Sequence, residues 1–570
     1  MPILTRSEAI ATLTASGAPY ELTDVEAGYG KQRAFLKAPP TLRELFESTA
    51  SEKPFIVYEN ERMTFAEAYF EASKIAYMLV EDFQVSKGDR VAISMRNYPE
   101  WILAFTAITS IGAIAVPMNA LWQPDEMEYG LRDSGAKVLF ADQERLDRLE
   151  QCSSALDARV VAVRGTATIP GAVSLAERMA ALAGCAMPAA EIAPTDPATI
   201  FYTSGSTGHP KGVVSTQRNI MSALLSWELE TLALAAQNRA AGGAAAPGDR
   251  STRPVQDAAL LAVPLFHVTG SHAVYLSSYR AQRKIVCMYK WDVEHAAELI
   301  ERERVNSFVA PPAMTGDLVR IAATTQRDLS SLRVVGGGGA ARAPEQVRQI
   351  DSSFKKVAPN TGWGMTETNA IGAGINGRDY LGRPASSGRC PVVLELAVVD
   401  EDGTHLPVGE RGELLVRGTS VFAGYWNRPE VDAEVFNDGW FRTGDVAYLD
   451  DEGFLFIVDR LKDLIIRGGE NIGCGHVEAA LVMHPLVHEA AVYSVPDERL
   501  GEEVGATVFA DGALDVDELR SFLSAHLARF EVPRYITVAV QALPRIASGK
   551  IFKRQLRLDA IAALNPADES

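Results

Sequence analysis

Short apolar runs rich in β-branched residues alternate with segments of helical periodicity along most of the chain. Strands are predicted for the runs RVAISM, GAIAVPM, KVLFAD, RVVAVR and ATIFYTSG. An amphipathic helix is predicted from Glu100, and a further helix for WDVEHAAELIERERV. NSFVAPP and LRVVGGGG follow as strands, the second entering a glycine turn. Strands that alternate with helices predict an α/β fold with mostly parallel, helix-covered sheets.

The pattern of predicted elements changes after Pro391. The runs LELAVVDEDG, GELLVRG and GFLFIVD are short, β-rich and bounded by turn residues, so a β-rich subdomain is predicted over residues 391–461. After Lys462 the chain reads as a helix, two strands and a second helix, which indicates a small α+β domain. We therefore predict a large N-terminal domain over residues 1–461 and a C-terminal domain over residues 462–570.

One segment interrupts the pattern. Residues 237–254, QNRAAGGAAAPGDRSTRP, are rich in Ala, Gly and Arg and have no apolar period. This composition predicts a mobile surface loop, and a tolerated insertion is favoured over a functional lid.

Composition narrows the class of protein. The 570 residues carry a formal net charge of −18, which disfavours nucleic acid as a partner. The five cysteines are scattered without metal-ligand spacing, as in a cytoplasmic protein with reduced thiols. The first residues lack the apolar core of a secretory signal, and no apolar run is long enough to span a bilayer. We expect a cytoplasmic location without a transmembrane segment.

The strongest chemical motif is YTSGSTGHPKG at residues 202–212. It follows the run ATIF, so it lies at the carboxyl end of a predicted strand, where open α/β sheets bind ligands. Its glycines allow close approach to phosphate oxygens, its N–H groups form an anion nest, and Lys211 adds charge. Pro210 before Lys211 distinguishes it from a Walker A loop. Taken alone, the motif is also compatible with a flexible Gly/Ser loop.

Residues 360–368, NTGWGMTET, form a second motif. Trp363 between two glycines can lie flat on a base, a threonine can bind phosphate, and Glu367 can hold Mg²⁺. For a lone tryptophan, plain core packing is the competing interpretation.

Three further motifs follow in order. In WFRTGD, Asp445 can accept from two ribose hydroxyls or can cap a turn. VDRLKD with RGGEN combines dense charge with a glycine pair, which suggests a linker or a solvated loop. In PRIASGK, Lys550 lies on a small-residue turn from which it can swing into a distant site, although such lysines mostly face solvent.

The five motifs in this order resemble the adenylate-forming superfamily, which includes acyl-CoA synthetases, coumarate-type CoA ligases, firefly luciferase and the adenylation domains of peptide synthetases. The resemblance runs from about Leu42 to Leu556, YTSGSTGHPKG is among the superfamily's most specific motifs, and the fatty-acyl-CoA ligases are the most similar branch. It implies that ATP, Mg²⁺ and coenzyme A take part in activating a small carboxylic acid.

The resemblance also implies roles for individual residues. The residues that would bind the β- and γ-phosphates of ATP are Thr203, Ser204, Gly205, Ser206, Thr207, Gly208 and Lys211. The strand end that borders the adenine and the acyl pocket would consist of Gly337, Gly338, Gly339 and Ala340. In the rest of the nucleotide site, Trp363 would pack on the adenine, Thr366 would contact the α-phosphate and Asp445 would bind the ribose. Gly364, Met365 and Arg460 would lie nearby. Glu367 and Thr203 would hold Mg²⁺.

Other implied roles concern movement and the thiol. Lys462 matches a hinge position, and Lys550 matches the catalytic lysine of a mobile C-terminal domain. Gly468, Gly469 and Glu470 lie on the implied coenzyme A side. His267 resembles a histidine at the acyl pocket and thioester tunnel, with a core histidine as the alternative. After Asn471 the chain reads Ile-Gly-Cys-Gly-His, where relatives often carry Tyr-Pro or similar, and this departure concerns the thiol contacts.

The resemblance implies two half-reactions, adenylation of the acid and transfer of the acyl group to coenzyme A. A stand-alone enzyme that loads a carrier protein is the main alternative, and a luciferase-type oxygenase is less favoured. A nucleotide-binding regulator without catalysis is opposed by intact Lys550, Glu367 and Asp445. A homodimer is left open.

The segments expected to line the acyl pocket restrict the acid. Residues 268–273 and 369–374 are small or apolar and contain no Lys or Arg. A second carboxylate on the substrate would be buried without a cation, at considerable cost. We expect a monocarboxylic acid with an apolar body, a medium- or long-chain fatty acid first and an alicyclic or aryl acid second.

Overall fold

A computed structural model describes residues 4–28, 30–152, 157–166, 169–203, 210–240, 255–339, 342–354, 356–468, 470–510, 512, 514–545 and 550–564, with the backbone alone for Lys462 and Asn471. The helices are α1 (Arg6–Thr14), α2 (Leu42–Thr49), α3 (Phe65–Glu81), α4 (Pro99–Ser110), α5 (Pro124–Ser134), α6 (Gln143–Leu149), α7 (Leu175–Ala181), α8 (Gln217–Ala240), α9 (Ser277–Arg280), α10 (Val293–Glu303), α11 (Pro312–Ala322), α12 (Pro344–Ser353), α13 (Gly377–Gly382), α14 (Pro429–Val435), α15 (Cys474–Val482), α16 (Val516–Ser524) and α17 (Lys553–Leu564). A π-helix spans Thr269–Leu276, and 3₁₀ helices span Thr366–Thr368 and Leu461–Asp463.

The strands are β1 (Leu22–Ala27), β2 (Gly30–Phe35), β3 (Pro54–Tyr58), β4 (Glu61–Thr64), β5 (Arg90–Ser94), β6 (Ile114–Pro117), β7 (Val138–Asp142), β8 (Arg159–Val163), β9 (Val173–Ser174), β10 (Pro197–Thr203), β11 (Lys211–Thr216), β12 (Ala258–Leu261), β13 (Lys284–Cys287), β14 (Ser307–Val309), β15 (Val334–Gly336), β16 (Ala358–Gly364), β17 (Gly372–Asn376), β18 (Gly388–Arg389), β19 (Leu394–Val399), β20 (Gly412–Gly418), β21 (Gly424–Tyr425), β22 (Phe436–Asn437), β23 (Trp440–Leu449), β24 (Phe454–Arg460), β25 (Ile465–Arg467), β26 (Glu470–Ile472), β27 (Val487–Asp497), β28 (Gly501–Ala510) and β29 (Tyr535–Ala539).

The first large sheet carries the 202–212 motif. Its strand order is β21-β11-β10-β6-β5-β7-β8-β9, parallel from β10 to β9. The antiparallel strands β10 and β11 close one side, and Thr203 pairs with Lys211 at their ends. The predicted strands are confirmed here, because buried parallel strands leave continuous apolar runs in the sequence.

The helix predicted from Glu100 is present as α4, but the prediction that it is amphipathic is wrong. Helix α4 is buried on all sides, with Trp101 and Phe105 stacked at 5.3 Å between ring centroids. It packs against the neighbouring helices α2 and α3 and the strands β5 and β6. A helix enclosed in this way has no polar face, so its pattern has no helical period.

The second large sheet runs in the order β19-β20-β23-β24-β18-β17-β16-β15-β14-β12-β13-β3-β4. Its parallel part, β16 to β3, continues into the antiparallel strands β17 and β18, which lie before residue 391, and β18 pairs with β24 of the predicted β-rich subdomain. The connection runs through Gly388, which pairs with Leu455, and Arg389, which pairs with Phe454. The β-rich strands therefore extend a sheet of the large domain while also enclosing a small core of their own around Leu414 and Leu455.

A separate sheet forms after β24, in the order β26-β25-β28-β27 with β29 parallel to β28. Helices α15 and α16 contribute Val477, Leu481 and Leu519 to a core with the sheet residues Val504 and Val508. The predicted α/β class with a small α+β C-terminal unit is confirmed.

The extent of helix α8 and the presence of helix α1 differ from the prediction. Helix α8 includes residues 237–240, which the prediction assigned to the loop, and the rest of that predicted loop, residues 241–254, lies outside the described part. Helix α1 packs against α8 and was not predicted, although Thr5 and Glu8 form a capping box. In the described residues no helix is long and apolar enough to cross a membrane.

The junction at Gly388 generates a stability prediction. Gly388 has φ +100°, and a Cβ there would lie 2.0 Å from the carbonyl carbon of Gly374. We expect Gly388→Ala to lower the free energy of unfolding by roughly 2–5 kcal/mol, from left-handed strain plus overpacking. Gly403→Ala is the matched control, because Gly403 has φ +82° but a Cβ there would meet no atom of the described residues within 4 Å. Calorimetric melting should show a clearly larger drop for Gly388→Ala, and equal drops would contradict the junction's role.

Candidate active site

The first two motifs meet through a tyrosine that the sequence analysis missed. Tyr425 on β21 lies beside β11, and its ring centroid is 5.4 Å from Lys211 Nζ. The Tyr425 hydroxyl donates to Glu367 Oε1 at 2.9 Å. Nothing in the local pattern of Gly424-Tyr425 indicated this contact, because its partners are distant in the sequence.

Glu367 is buried, with 6% of its surface exposed. Burial raises the pKa of its carboxyl group, and the nearby Asp445 charge adds to the effect. The hydrogen bond from Tyr425 and the charge of Arg460 oppose the rise in pKa. A carboxylate in these surroundings would gain from a cation.

The second and third motifs meet at Asp445, which is 4% exposed. Trp363 Nε1 donates to Asp445 Oδ2 at 2.7 Å, and Arg460 Nε lies 3.2 Å from Oδ1. Both oxygens thus face side chains, whereas the turn interpretation would place them on nearby backbone N–H groups. Trp363 is half-buried.

Two glycines permit the close packing of this region. A Cβ on Gly338 would lie 2.6 Å from the Gly362 carbonyl oxygen, between the ends of β15 and β16. A Cβ on Gly372 would lie 2.3 Å from the Trp363 ring. Larger residues would push the strand end and the indole apart.

His267 and Lys550 lie near each other. Burial lowers the pKa of His267 to about 4, and the positive charge of Lys550 adds to this shift. His267 is therefore neutral at pH 7, and the segment that carries Lys550 reaches the large domain. Lys550 itself is exposed.

The remaining predicted residues are placed as follows. Gly364 ends β16, Met365 precedes the 3₁₀ helix that holds Thr366 and Glu367, and Gly339 follows β15 with φ +94°. The Lys462 backbone lies in the 3₁₀ helix directly after β24. Gly468 and Glu470 flank the turn from β25 to β26 in the C-terminal sheet. Ser204, Gly205, Ser206, Thr207, Gly208, Ala340 and Gly469 lie outside the described residues.

Comparison with known proteins identifies the family. The AMP-binding enzyme family matches residues 44–426, and the AMP-binding enzyme C-terminal domain matches residues 476–550. The chain belongs to the AMP-binding enzyme family.

Individual relatives narrow the class. The chain is 35% identical over 506 residues to the long-chain-fatty-acid–CoA ligase FadD13 of Mycobacterium tuberculosis, covering 87% of this chain and 93% of that protein. It is 34% identical over 477 residues to a feruloyl-CoA synthase of Amycolatopsis sp, covering 83% and 89%. The solved o-succinylbenzoate coenzyme A synthetase of Bacillus subtilis with ATP and magnesium ion has a TM-score of 0.75 and 28% identity, covering 91% of this chain and 99% of that one.

The chain is accordingly an AMP-forming acid–CoA ligase that uses ATP with Mg²⁺ and takes coenzyme A as co-substrate. The described residues contain no group of three His, Cys, Asp or Glu side chains arranged for a metal ion. Mg²⁺ usually binds through one or two carboxylates plus substrate phosphates, and a single buried carboxylate such as Glu367 fits a cation that arrives with ATP. Buried Glu367 is the carboxylate that such a cation would stabilise.

The geometry at Asp445 generates a binding prediction. We expect Asp445→Ala to weaken ATP binding by roughly 1.5–3 kcal/mol, the usual loss for hydrogen bonds to a charged acceptor. Equilibrium titration without the acid measures this change, and deoxyribose analogues should lose correspondingly less affinity in the variant. Trp363→Phe is a control that removes the donor to Asp445 but keeps the aromatic ring. Unchanged ATP affinity in Asp445→Ala would contradict a role in nucleotide binding and would leave Asp445 as a residue that caps a turn.

Proposed function

We propose that this acyl-CoA ligase activates an apolar monocarboxylic acid, with a medium- or long-chain fatty acid as its preferred substrate. The observation that carries the proposal is the lack of Lys and Arg in residues 268–273 and 369–374. Burial lowers the pKa of His272, in the π-helix, to about 3, so this side chain supplies no positive charge at pH 7. The similarity to a long-chain-fatty-acid–CoA ligase supports the same class of substrate.

The roles proposed for the site follow its contacts. Thr203, Lys211 and Thr366 bind the phosphates of ATP, while Trp363 packs on the adenine and Asp445 with Arg460 binds the ribose. The acid's carboxylate oxygen attacks the α-phosphorus, a C–O–P linkage forms, and pyrophosphate leaves. Lys550 stabilises the negative charge on the α-phosphate and carboxylate, and neutral His267 lies next to it at the acyl pocket. Mg²⁺ held by Glu367 and Thr203 would neutralise phosphate charge.

For the second half-reaction we propose a rotation of residues 462–570 about Lys462 relative to residues 1–461. The rotation withdraws Lys550 and presents Gly468, Gly469 and Glu470 to coenzyme A. The thiol of coenzyme A then attacks the adenylate carbonyl, the thioester forms and AMP leaves. The position of Lys462, immediately after the last strand of the large sheet, supports it as the hinge. A cytoplasmic location and a homodimer stay predictions.

A hydroxylated aryl acid is the second candidate substrate. His272 and Asn369 are completely buried, and Asn369 lies beside the histidine ring. His272 Nε2 and Asn369 Oδ1 make no hydrogen bond within the described residues. A substrate hydroxyl would donate to Asn369 Oδ1 and accept from the N–H of His272 Nε2, which would relieve the cost of burying these two atoms. The similarity to a feruloyl-CoA synthase supports this alternative.

The proposed role of Lys550 predicts a separation of the two steps. We expect Lys550→Ala to slow adenylate formation by about 10²-fold or more, because a charge stabiliser of the transition state is lost. ATP affinity should stay nearly unchanged, and the variant should still convert a supplied acyl-adenylate to thioester. Arg554→Ala is the matched control, since Arg554 is an exposed cation on the same segment. Adenylate formation at the unaltered rate would remove Lys550 from the reaction.

The substrate class is tested by a panel of acids assayed for AMP release with and without coenzyme A. Each buried methylene should add up to about 0.8 kcal/mol, so kcat/KM should rise along the fatty acids and level off once the pocket is filled. The highest kcat/KM for acetate or a dicarboxylate would contradict the proposal. Preference for hydroxylated aryl acids, abolished selectively by His272→Phe, would establish the second candidate instead.

A further inference from the structure

Asp133 lies where its own helix disfavours it. It is in the last turn of α5, which ends at Ser134 before a left-handed Gly135. A negative charge near the C-terminus of a helix is opposed by the helix dipole. The Asp133 side chain is only 10% exposed, so water does little to stabilise it. A carboxylate in this position needs partners from other parts of the chain.

Those partners come from two distant segments. The Tyr202 hydroxyl donates to Asp133 Oδ2 at 2.7 Å, and Arg428 Nη2 donates to Oδ1 at 2.8 Å. The indole N–H of Trp426 donates to the main-chain carbonyl of Asp133 at 3.0 Å. Tyr202 is the residue before Thr203, so one end of the phosphate-binding segment is attached to α5.

The other end is attached to the same helix. Tyr129, one turn before Asp133, donates its hydroxyl to the carbonyl oxygen of Pro210 at 3.1 Å. The same hydroxyl accepts from Arg428 Nη2 at 3.2 Å, which joins the two attachments. The main-chain N–H of Trp426 also donates to the Gly212 carbonyl at 2.7 Å. Both sides of residues 203–211 are therefore bound to one cluster, which consists of Tyr129, Asp133, Trp426 and Arg428.

We propose that Asp133, with Tyr129 and Arg428, is a positioning site that holds Thr203 and Lys211 at the separation needed to bind the β- and γ-phosphates of ATP. The inference rests on the proposed function, in which these two residues contact the phosphates. Because the ends are ordered in the folded protein, less conformational freedom is lost when ATP binds. AMP lacks the two outer phosphates, so its binding gains nothing from this order.

A purely structural role is the competing explanation. The cluster also lies along the edge where β21 joins β11, and weakening it could loosen that edge. Such a defect would lower stability and affect ATP and AMP to the same degree. The ratio of the two affinities therefore separates positioning from structural support.

The test is equilibrium titration of the full-length protein with MgATP and with AMP, in the absence of the acid. We expect Asp133→Asn to weaken MgATP about tenfold or more and AMP less than about twofold, since the charge-assisted hydrogen bonds from Tyr202 and Arg428 are lost. Tyr129→Phe, which removes one hydroxyl and disturbs folding least, should weaken MgATP about threefold with AMP unchanged. Asp125→Asn is the control, an exposed aspartate on the same helix.

Two results would overturn the inference. Equal weakening of MgATP and AMP would assign the cluster to structure alone, and unchanged MgATP affinity in both variants would remove any role in binding. Lys211→Ala distinguishes this failure from failure of the proposed function. If Lys211→Ala weakens MgATP while Asp133→Asn does not, only the inference fails. If Lys211→Ala has no effect, the phosphate assignment of the segment fails with it.

Discussion

Glu367 and Asp445 are two buried carboxylates in the region where we propose that a nucleotide polyanion binds, and the charge of Asp445 raises the pKa of Glu367. Negative charge without water is costly, so each carboxylate depends on a fixed partner. Tyr425 donates to Glu367, and Trp363 and Arg460 hold Asp445. These contacts join β16, β21, β23 and β24, so the placement of the strands and the electrostatics of the site support each other.

Gly338, which follows β15, and Gly372, which begins β17, belong to the same arrangement. Gly338 and Gly372 leave the space in which the strand end and the Trp363 indole can lie against backbone atoms. The indole then reaches Asp445 on the antiparallel part of the same sheet. The proposed nucleotide site thus lies where the parallel strands of a helix-covered sheet continue into antiparallel ones, a consequence of the link through β18.

Much of the fold could be predicted because buried parallel strands leave apolar runs of recognisable length, as at Val91 and Val138. A helix could also be predicted at α4, but its complete burial could not, since enclosure on all sides erases the helical period. Motif residues such as Asp445 could be identified from resemblance, but Tyr425 and Asp133 act through partners that are up to 295 positions away. Contacts of that kind depend on how sheets are assembled, and no local pattern encodes them.

The bond between Trp363 and Asp445 has an optical consequence. An indole that donates to a carboxylate emits according to the polarity and charge around its ring, and this indole lies where the adenine and ribose are proposed to bind. Occupation of the site changes both the solvent around the ring and the partners of its acceptor. The protein therefore carries an intrinsic fluorophore at its proposed nucleotide site, and occupation of that site is expected to change its emission.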